Sequence, residues 1–247
     1  MKTKISLSAT QLKYIAILAM TLDHVAFAFM PYNSLAYYIM RGIGKITAPT
    51  MSFFIAEGFN YTKNRKKYLF RVLFFAFISQ PFYYFMKTGE RSKSFSEFIT
   101  FNKLNVLFGF AISIIILFFI SNKKMPLYAR IIFLLLCLMA SDHCDWSFII
   151  PSWVIVFYLF RNNKKIKILF FSFISIVFLT ERYILNFNSF IEFSYMYGVM
   201  LALILISMYN GKRNNHNNIF FKKIDRWIFY IYYPLHMAII TIIKCLT

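Results

Sequence analysis

The sequence predicts an all-α fold, a polytopic integral membrane bundle of about nine transmembrane helices (8–10) with a cytoplasmic N-terminus. Three observations lead there. Of 247 residues, 60% are hydrophobic and 15% charged, whereas a soluble domain carries roughly a quarter charged residues and under half apolar ones. The apolar residues gather into runs near the length that crosses a bilayer. The 28 Lys and Arg, set against 9 acids, sort by the gap they fall in and do not build one basic face. This composition excludes disorder and weighs against a water-soluble enzyme.

A span needs roughly 20 mostly apolar residues to cross about 30 Å of hydrocarbon at 1.5 Å per residue. Nine stretches approach this: about 12–31, 35–59, 67–86, 104–121, 126–141, 146–160, 166–181, 193–209 and 226–244. The first lacks a small-x-small cleavage site and holds an Asp-His pair, so it reads as a permanent span and not a signal peptide. The second carries Arg41, Lys45 and the glycines 42, 44 and 58, read as points of close helix packing. The third carries Ser79 and Gln80. Within the fourth and fifth, AISIIILFFI (111–120) and RIIFLLLCLMA (130–140) are apolar on all sides, which suits helices and not the alternating strands of a membrane barrel. The fifth to seventh are short, near 15 residues, a length met by local thinning of the bilayer or by one re-entrant segment. The ninth carries Pro234 and His236. With no repeat of 20–50 residues and no low-complexity linker, residues 1–247 read as a single transmembrane domain.

The charge supplies the orientation. Twenty of the 28 basic residues fall around 2–13, 63–71, 123–130, 161–167 and 212–226. Six fall in the alternate gaps: Lys87, Arg91, Lys93, Lys103, Arg182 and Lys244. Short basic loops stay on the cytoplasmic side, so the N-terminus is expected inside and the C-terminus outside. The acids Glu90, Glu97, Asp142, Asp145, Glu181 and Glu192 then lie outside, with Asp225 in a cytoplasmic loop. No basic face remains for nucleic acid, and the basic loops suit anionic lipid instead. Cys137, Cys144 and Cys245 are too scattered for a disulfide framework.

Arg41 and Lys45 remain, both inside the second stretch. Intramembrane ionisable groups cost a few kcal/mol each and are functional candidates by default. Counted at helical rise, Asp23 and His24 lie roughly 17–18 Å from the cytoplasmic side, Arg41 roughly 21 Å, Ser79 and Gln80 roughly 18–20 Å, and His236 roughly 16 Å. Four spans thus bring polar groups to one layer. Asp23 and His24 are adjacent and point about 100° apart. Asp23 is therefore expected to pair with Arg41 or Lys45, leaving His24 to act as a general base. The surplus cation suits a phosphate, a carboxylate or a developing oxyanion. The same residues also fit a buried ion-pair network and core histidines that only fix packing. Glu57, near the inner end of its span, is expected to snorkel or to pair with Lys63 or Arg65. The outer run Asp142-His143-Cys144-Asp145 is too contiguous to surround a metal ion, so no metal is expected and Asp145 becomes a substrate contact.

Several runs follow one another in an order that resembles a known family. They are LKYIAILAMTLDH (12–24), RGIGKITAPTMSFFIAEGFNYT (41–62), KKYLFRVLFFAFISQPF (66–82), FNKLNVLFG (101–109), DWS (145–147), YNGKR (209–213) and FYIYYPLHM (229–237). Together they resemble the TraX family of conjugation-associated membrane proteins across nearly the whole chain. That resemblance implies a multi-pass acyltransferase of the bacterial cytoplasmic membrane, like the family member described as acetylating the amino terminus of a conjugative pilin. It implies acetyl-CoA as acyl donor and an unidentified protein, peptide or glycan acceptor. It marks Asp23, His24, Arg41, Glu57, Asn105, Asp145 and His236 as the polar positions of the motifs. Two positions depart from the pattern: Lys45 stands where an Arg is expected, keeping the charge without the planar fork, and Asp145 is followed by Trp146-Ser147.

On this basis His24, Asp23 and His236 are the expected catalytic residues, with His236 a second acid/base or a positioning group. Arg41, Lys45, Gln80, Asn105 and Asp145 are the expected substrate-binding residues, and Arg41 or Lys45 would steady the thioester oxyanion or a CoA phosphate. The alternatives are a proton-coupled or anion transporter, or a non-catalytic packing or immunity protein of the membrane.

Overall fold

A computed structural model describes residues 6–32, 34–88, 103–186, 193–212 and 219–246. Of the charges that set the expected orientation, Lys2, Lys4, Glu90, Arg91, Lys93, Glu97, Glu192 and Arg213 lie outside the described residues. So do the side chains of Lys222, Lys223 and Arg226.

The described chain is helical, with no strand among the described residues. In order it forms α1 (Ala9–Phe29), α2 (Leu35–Gly44), α3 (Thr47–Tyr61), α4 (Arg65–Thr88), α5 (Val106–Ser121), α6 (Leu127–Ser141), α7 (Ile149–Leu159) and α8 (Lys164–Asn186). A 3-10 helix at Ser194–Met200 then leads into α9 (Leu201–Ser207), and α10 (Ile219–Leu246) closes the chain. Among the described residues, three segments are long and apolar enough to cross a membrane: Ala9–Phe29, Arg65–Thr88 and Trp227–Leu246. The 11 residues of α7 rise only about 16 Å, roughly half the hydrocarbon thickness.

Local chemistry sets the ends. Ser8 and Gln11 form a reciprocal capping box that starts α1 three residues before the apolar run. Pro49 and Pro151 occupy first turns, where the backbone N–H has no helical partner to lose. Asn105 caps α5 through the Leu107 N–H at 3.1 Å.

The stretch 35–59 is not one helix. It breaks at Lys45–Ile46 into α2 and α3. The Lys45 N–H is shared between the carbonyls of Arg41 and Gly42, and Ile46 N–H reaches back only three residues to Ile43. The last turn therefore tightens to 3-10 geometry, while the Thr47 hydroxyl donates to the Ala16 carbonyl of α1 at 2.9 Å. The ninth stretch agrees with the apolar segment Trp227–Leu246, but its helix, α10, already begins at Ile219. Asp225 is accordingly not in a loop. It is 8% exposed within the helix and accepts hydrogen bonds from Thr10 at 3.3 Å and Tyr14 at 3.2 Å.

The helices fall into two compact units, Met1–Met51 with Ser175–Ile240, and Ser52–Ile174 with Thr241–Thr247. In the first, Leu12, Ala16, Ala19, Met20 and Ala26 of α1 are buried together with Val199, Ala202 and Met237. Helix association in lipid relies on close packing, and small residues permit it. Gly44 packs so close to Asp23 that a Cβ would overlap that side chain, and a Cβ at Gly198 would strike the Gly42 carbonyl. The segment after α9 is pinned to the start of α1 by Leu7 N–H to Met208 O and Asn210 N–H to Leu7 O. The second unit packs around Trp153, Phe110, Phe157 and Phe171, with Trp153 stacked on Phe171 at 5.4 Å. Outward faces also carry large apolar side chains: Leu18, Phe70, Phe77, Leu136, Met139 and Ile184 are all exposed, as suits a surface that meets lipid.

Candidate functional site: a cation cluster and a histidine pair

The adjacent residues Asp23 and His24 on α1 divide the site of the first unit. Asp23 faces α2. Its Oδ1 accepts from Arg41 Nη1 at 2.7 Å and from Lys45 Nζ at 3.2 Å, and its Oδ2 accepts from the same ammonium at 3.3 Å. Asp23 thus takes both cations, not one or the other. The three side chains are 14%, 12% and 6% exposed for Asp23, Arg41 and Lys45. One carboxylate against two cations leaves the cluster one positive charge in excess.

Aromatic faces cover that excess without neutralising it. The Arg41 guanidinium lies 5.2 Å from the Tyr195 ring centre, 5.3 Å from Phe27 and 5.8 Å from Tyr37, while Lys45 Nζ is 5.3 Å from Tyr195. Arg41 Nε is buried with no hydrogen-bond partner among the described residues. Tyr195 escaped the sequence reading because hydropathy counts tyrosine as apolar. Its place in a short 3-10 helix, five residues short of the α-helical run, was not signalled by periodicity.

His24 faces α10. Its Nδ1 is 2.7 Å from Nε2 of His236, and the two rings are parallel within 1°. His236, 4% exposed, places its Nδ1 2.8 Å from the Tyr232 carbonyl. The Tyr232 hydroxyl meets Thr21 Oγ1 at 2.7 Å, and Thr21 donates to the Ile17 carbonyl at 2.9 Å. A hydroxyl has one proton, so Tyr232 is the donor to Thr21. Five of the expected residues, Asp23, His24, Arg41, Lys45 and His236, therefore gather in the first unit.

The other three belong to the second unit and are tied together at the start of α5. Asn105 is fully buried; its amide donates to the Ala76 carbonyl and to Gln80 Oε1, both at 2.8 Å. Gln80 Oε1 also accepts from the Asn105 backbone N–H at 3.0 Å, and Gln80 Nε2 donates to the Lys103 carbonyl at 2.9 Å. The amides of both residues, expected to bind substrate, are spent on holding the start of α5 against α4. The Asp145 N–H donates to the Leu104 carbonyl at 2.7 Å, and Leu104 N–H donates to His143 O at 2.8 Å. Beyond it, Trp146 and Ser147 hold φ values of +66° and +48°, a left-handed pair that tryptophan rarely adopts. Ser147 donates to Asp142 and fixes the turn. Cys144, fully buried in that turn, has its thiol pushed up to about 12 by burial and by the Asp145 carboxylate.

Ser79, placed in the polar layer by counting, instead returns its hydroxyl to the Phe75 carbonyl at 2.6 Å. Glu57 pairs with neither Lys63 nor Arg65 as expected. Its cationic neighbours are Lys167 and Arg161, and Arg65 lies over the Phe59 ring at 4.2 Å.

The Asn105 network yields a stability prediction. Asn105→Ala removes a helix cap, the side-chain donor to the buried Ala76 carbonyl and one of the two donors to Gln80 Oε1, costing about 2–3 kcal/mol. Thermal unfolding in detergent should show a lower midpoint than for wild type. An unchanged midpoint would mean that the network does not hold α5 to α4.

Comparison with known proteins agrees with the motif order. The family model described as TraX protein matches residues 8–244. The chain is 32% identical over 244 residues to the probable fimbrial assembly protein FimC, serogroup H1, of Dichelobacter nodosus, covering 97% of each chain. No solved structure matches it. With a family match over nearly its whole length and a helical fold that includes three membrane-length apolar helices, this chain belongs to the TraX family.

Proposed function

We propose that the protein is a membrane-embedded acyltransferase that moves an acetyl group from acetyl-CoA to an amine or hydroxyl of a membrane-associated or outer-face acceptor. The observation that carries this reading is the pairing of a histidine dyad with a cation-rich cluster on either side of one helix turn, at Asp23-His24. The acceptor N–H or O–H attacks the thioester carbonyl while His24 takes its proton. The new acyl bond forms, the C–S bond breaks, and the thiolate leaves with that proton as CoA thiol. Arg41 and Lys45 carry the positive charge that the developing oxyanion or a CoA phosphate requires, and Asp23 holds the two cations in place. The fimbrial name of the Dichelobacter nodosus relative favours a pilin amino terminus as acceptor.

The reading includes nine spans in the bacterial cytoplasmic membrane, with the N-terminus inside, so that acetyl-CoA arrives from the cytoplasm. Cys245 tests this orientation, because it is exposed near the end of α10 while Cys144 is buried. A membrane-impermeant maleimide should label intact cells through Cys245 and lose that label in Cys245→Ser. Cys144 should stay unlabelled at neutral pH, where a thiol pushed up to about 12 remains protonated. Labelling of Cys245 only after lysis would reverse the orientation.

The direct test supplies radiolabelled acetyl-CoA to membranes containing the protein, with pilin amino-terminal peptides and surface glycans as acceptors. Label should pass to one acceptor class only when the protein is present. Its failure to pass to any would overturn the reading. The 2.7 Å contact between two imidazoles also suits a proton path, so a second reading is a proton-coupled or anion transporter. Flux in liposomes without acyl-CoA is its signature.

A further inference from the structure

We infer that His236 is a positioning residue which fixes the tautomer of His24 and is not itself an acid or base of the reaction. The inference rests on the acyltransferase reading for its consequence, but its geometry stands alone. A backbone carbonyl can only accept, so the 2.8 Å contact of His236 Nδ1 with Tyr232 O requires the proton to be on Nδ1. Neutral His236 then has its lone pair on Nε2. The 2.7 Å contact must therefore be donated by His24 Nδ1–H, which leaves the basic lone pair of His24 on Nε2.

The orientation of the rings supports the hydrogen bond itself, and the Tyr232 carbonyl sets its direction. Imidazole N–H bonds and lone pairs lie in the ring plane, and the two rings are parallel within 1°. His236 is held in turn. Its ring lies parallel within 8° to that of Tyr232 at 5.2 Å, and Tyr232 is tied by its hydroxyl to Thr21. The chain of donors runs from His24 through His236 to a backbone carbonyl. When His24 takes the acceptor proton on Nε2, the resulting imidazolium donates a charge-assisted bond from Nδ1 into His236 Nε2. A carboxylate has this orienting task in the serine hydrolase triad. Here the neutral imidazole does it, while Asp23, next in sequence, is occupied by Arg41 and Lys45.

Nitrogen-15 spectra of histidine-labelled protein in lipid nanodiscs, with His143→Asn and His216→Asn removing the other two imidazoles, read the tautomers directly. Above neutral pH both His24 and His236 should carry the proton on Nδ1, the minor form of a free histidine side chain in water. In His236→Leu, His24 should revert to the Nε2-protonated form. In His236→Gln, whose carbonyl can still accept from His24 Nδ1–H, it should stay. A His24 protonated on Nε2 in the wild type, or a tautomer indifferent to His236→Leu, overturns the inference whether or not the protein transfers acetyl groups. In the transfer assay, His236→Leu should lower kcat by about 10²-fold with KM for acetyl-CoA unchanged, and His236→Gln should recover most of it. Loss of transfer in His236→Gln despite a correct His24 tautomer would make His236 an acid or base and likewise overturn it. Absence of transfer in wild type would instead remove the acyltransferase reading and leave the spectra to decide the tautomer.

Discussion

On the acyltransferase reading, His24→Ala should lower acetyl transfer by about 10²–10⁴-fold, the range that a positioned general base contributes. The loss should appear in kcat, because His24 is assigned a proton in the transition state and no part in holding the donor. The cation cluster is anchored by Asp23, so the substitution leaves Arg41 and Lys45 paired and the KM for acetyl-CoA nearly unchanged. The variant removes one hydrogen bond to His236, worth about 1 kcal/mol, and should still accumulate in the membrane. Transfer rates per mole of folded protein separate this from simple instability. Unchanged transfer in His24→Ala would end the assignment of His24 as the base.

Much of this site was readable from residue spacing. Adjacent positions on a helix diverge by about 100°, which was enough to send Asp23 and His24 to different partners. Counting rises from the ends of apolar runs places Arg41 and His236 at a common depth with Asp23 and His24, and the structure brings Arg41, Lys45 and His236 to the two sides of α1. The same counting says nothing of what the polar residues of the third span meet. Counting gives Ser79 and Gln80 the same depth, but a hydroxyl on a helix reaches its own carbonyl four residues back, and Gln80 answers Asn105 and Lys103 instead. Depth along an axis carries no information about which helix a residue meets.

Other failures have a different cause. The break at Lys45–Ile46 arises from tertiary demands, the approach of Gly44 to Asp23 and the bond from Thr47 to α1, and hydropathy averages smooth over both. Asp225 was placed in a loop because charge ends an apolar run. Its burial depends on Thr10 and Tyr14, more than 200 residues away in sequence, so no local pattern could show it. Tyr195 and Tyr232 are site residues hidden by an apolar ring. Only their partners, Arg41 for the first and Thr21 and His236 for the second, reveal the polar tip or the ring face.

The cation cluster offers the sharpest distinction between a site and a strut. Asp23→Leu strands two buried cations, and breaking a buried pair in this way costs about 3–5 kcal/mol, so abundance should fall steeply. If Asp23 had one partner, a double apolar replacement would restore abundance. With both Arg41 and Lys45 on one carboxylate, Asp23→Leu with Arg41→Met still leaves the Lys45 ammonium 6% exposed and without its carboxylate. Recovery should therefore require the triple variant Asp23→Leu, Arg41→Met, Lys45→Met, since apolar replacements of a buried ionic group are often neutral or stabilising. Membrane abundance and thermal midpoint read this first half. Acetyl transfer reads the second: the triple variant should be folded and abundant yet inactive, because the positive charge that the acyltransferase reading sets against the oxyanion or phosphate is gone. A packing network alone predicts the opposite, a triple variant with both abundance and activity restored.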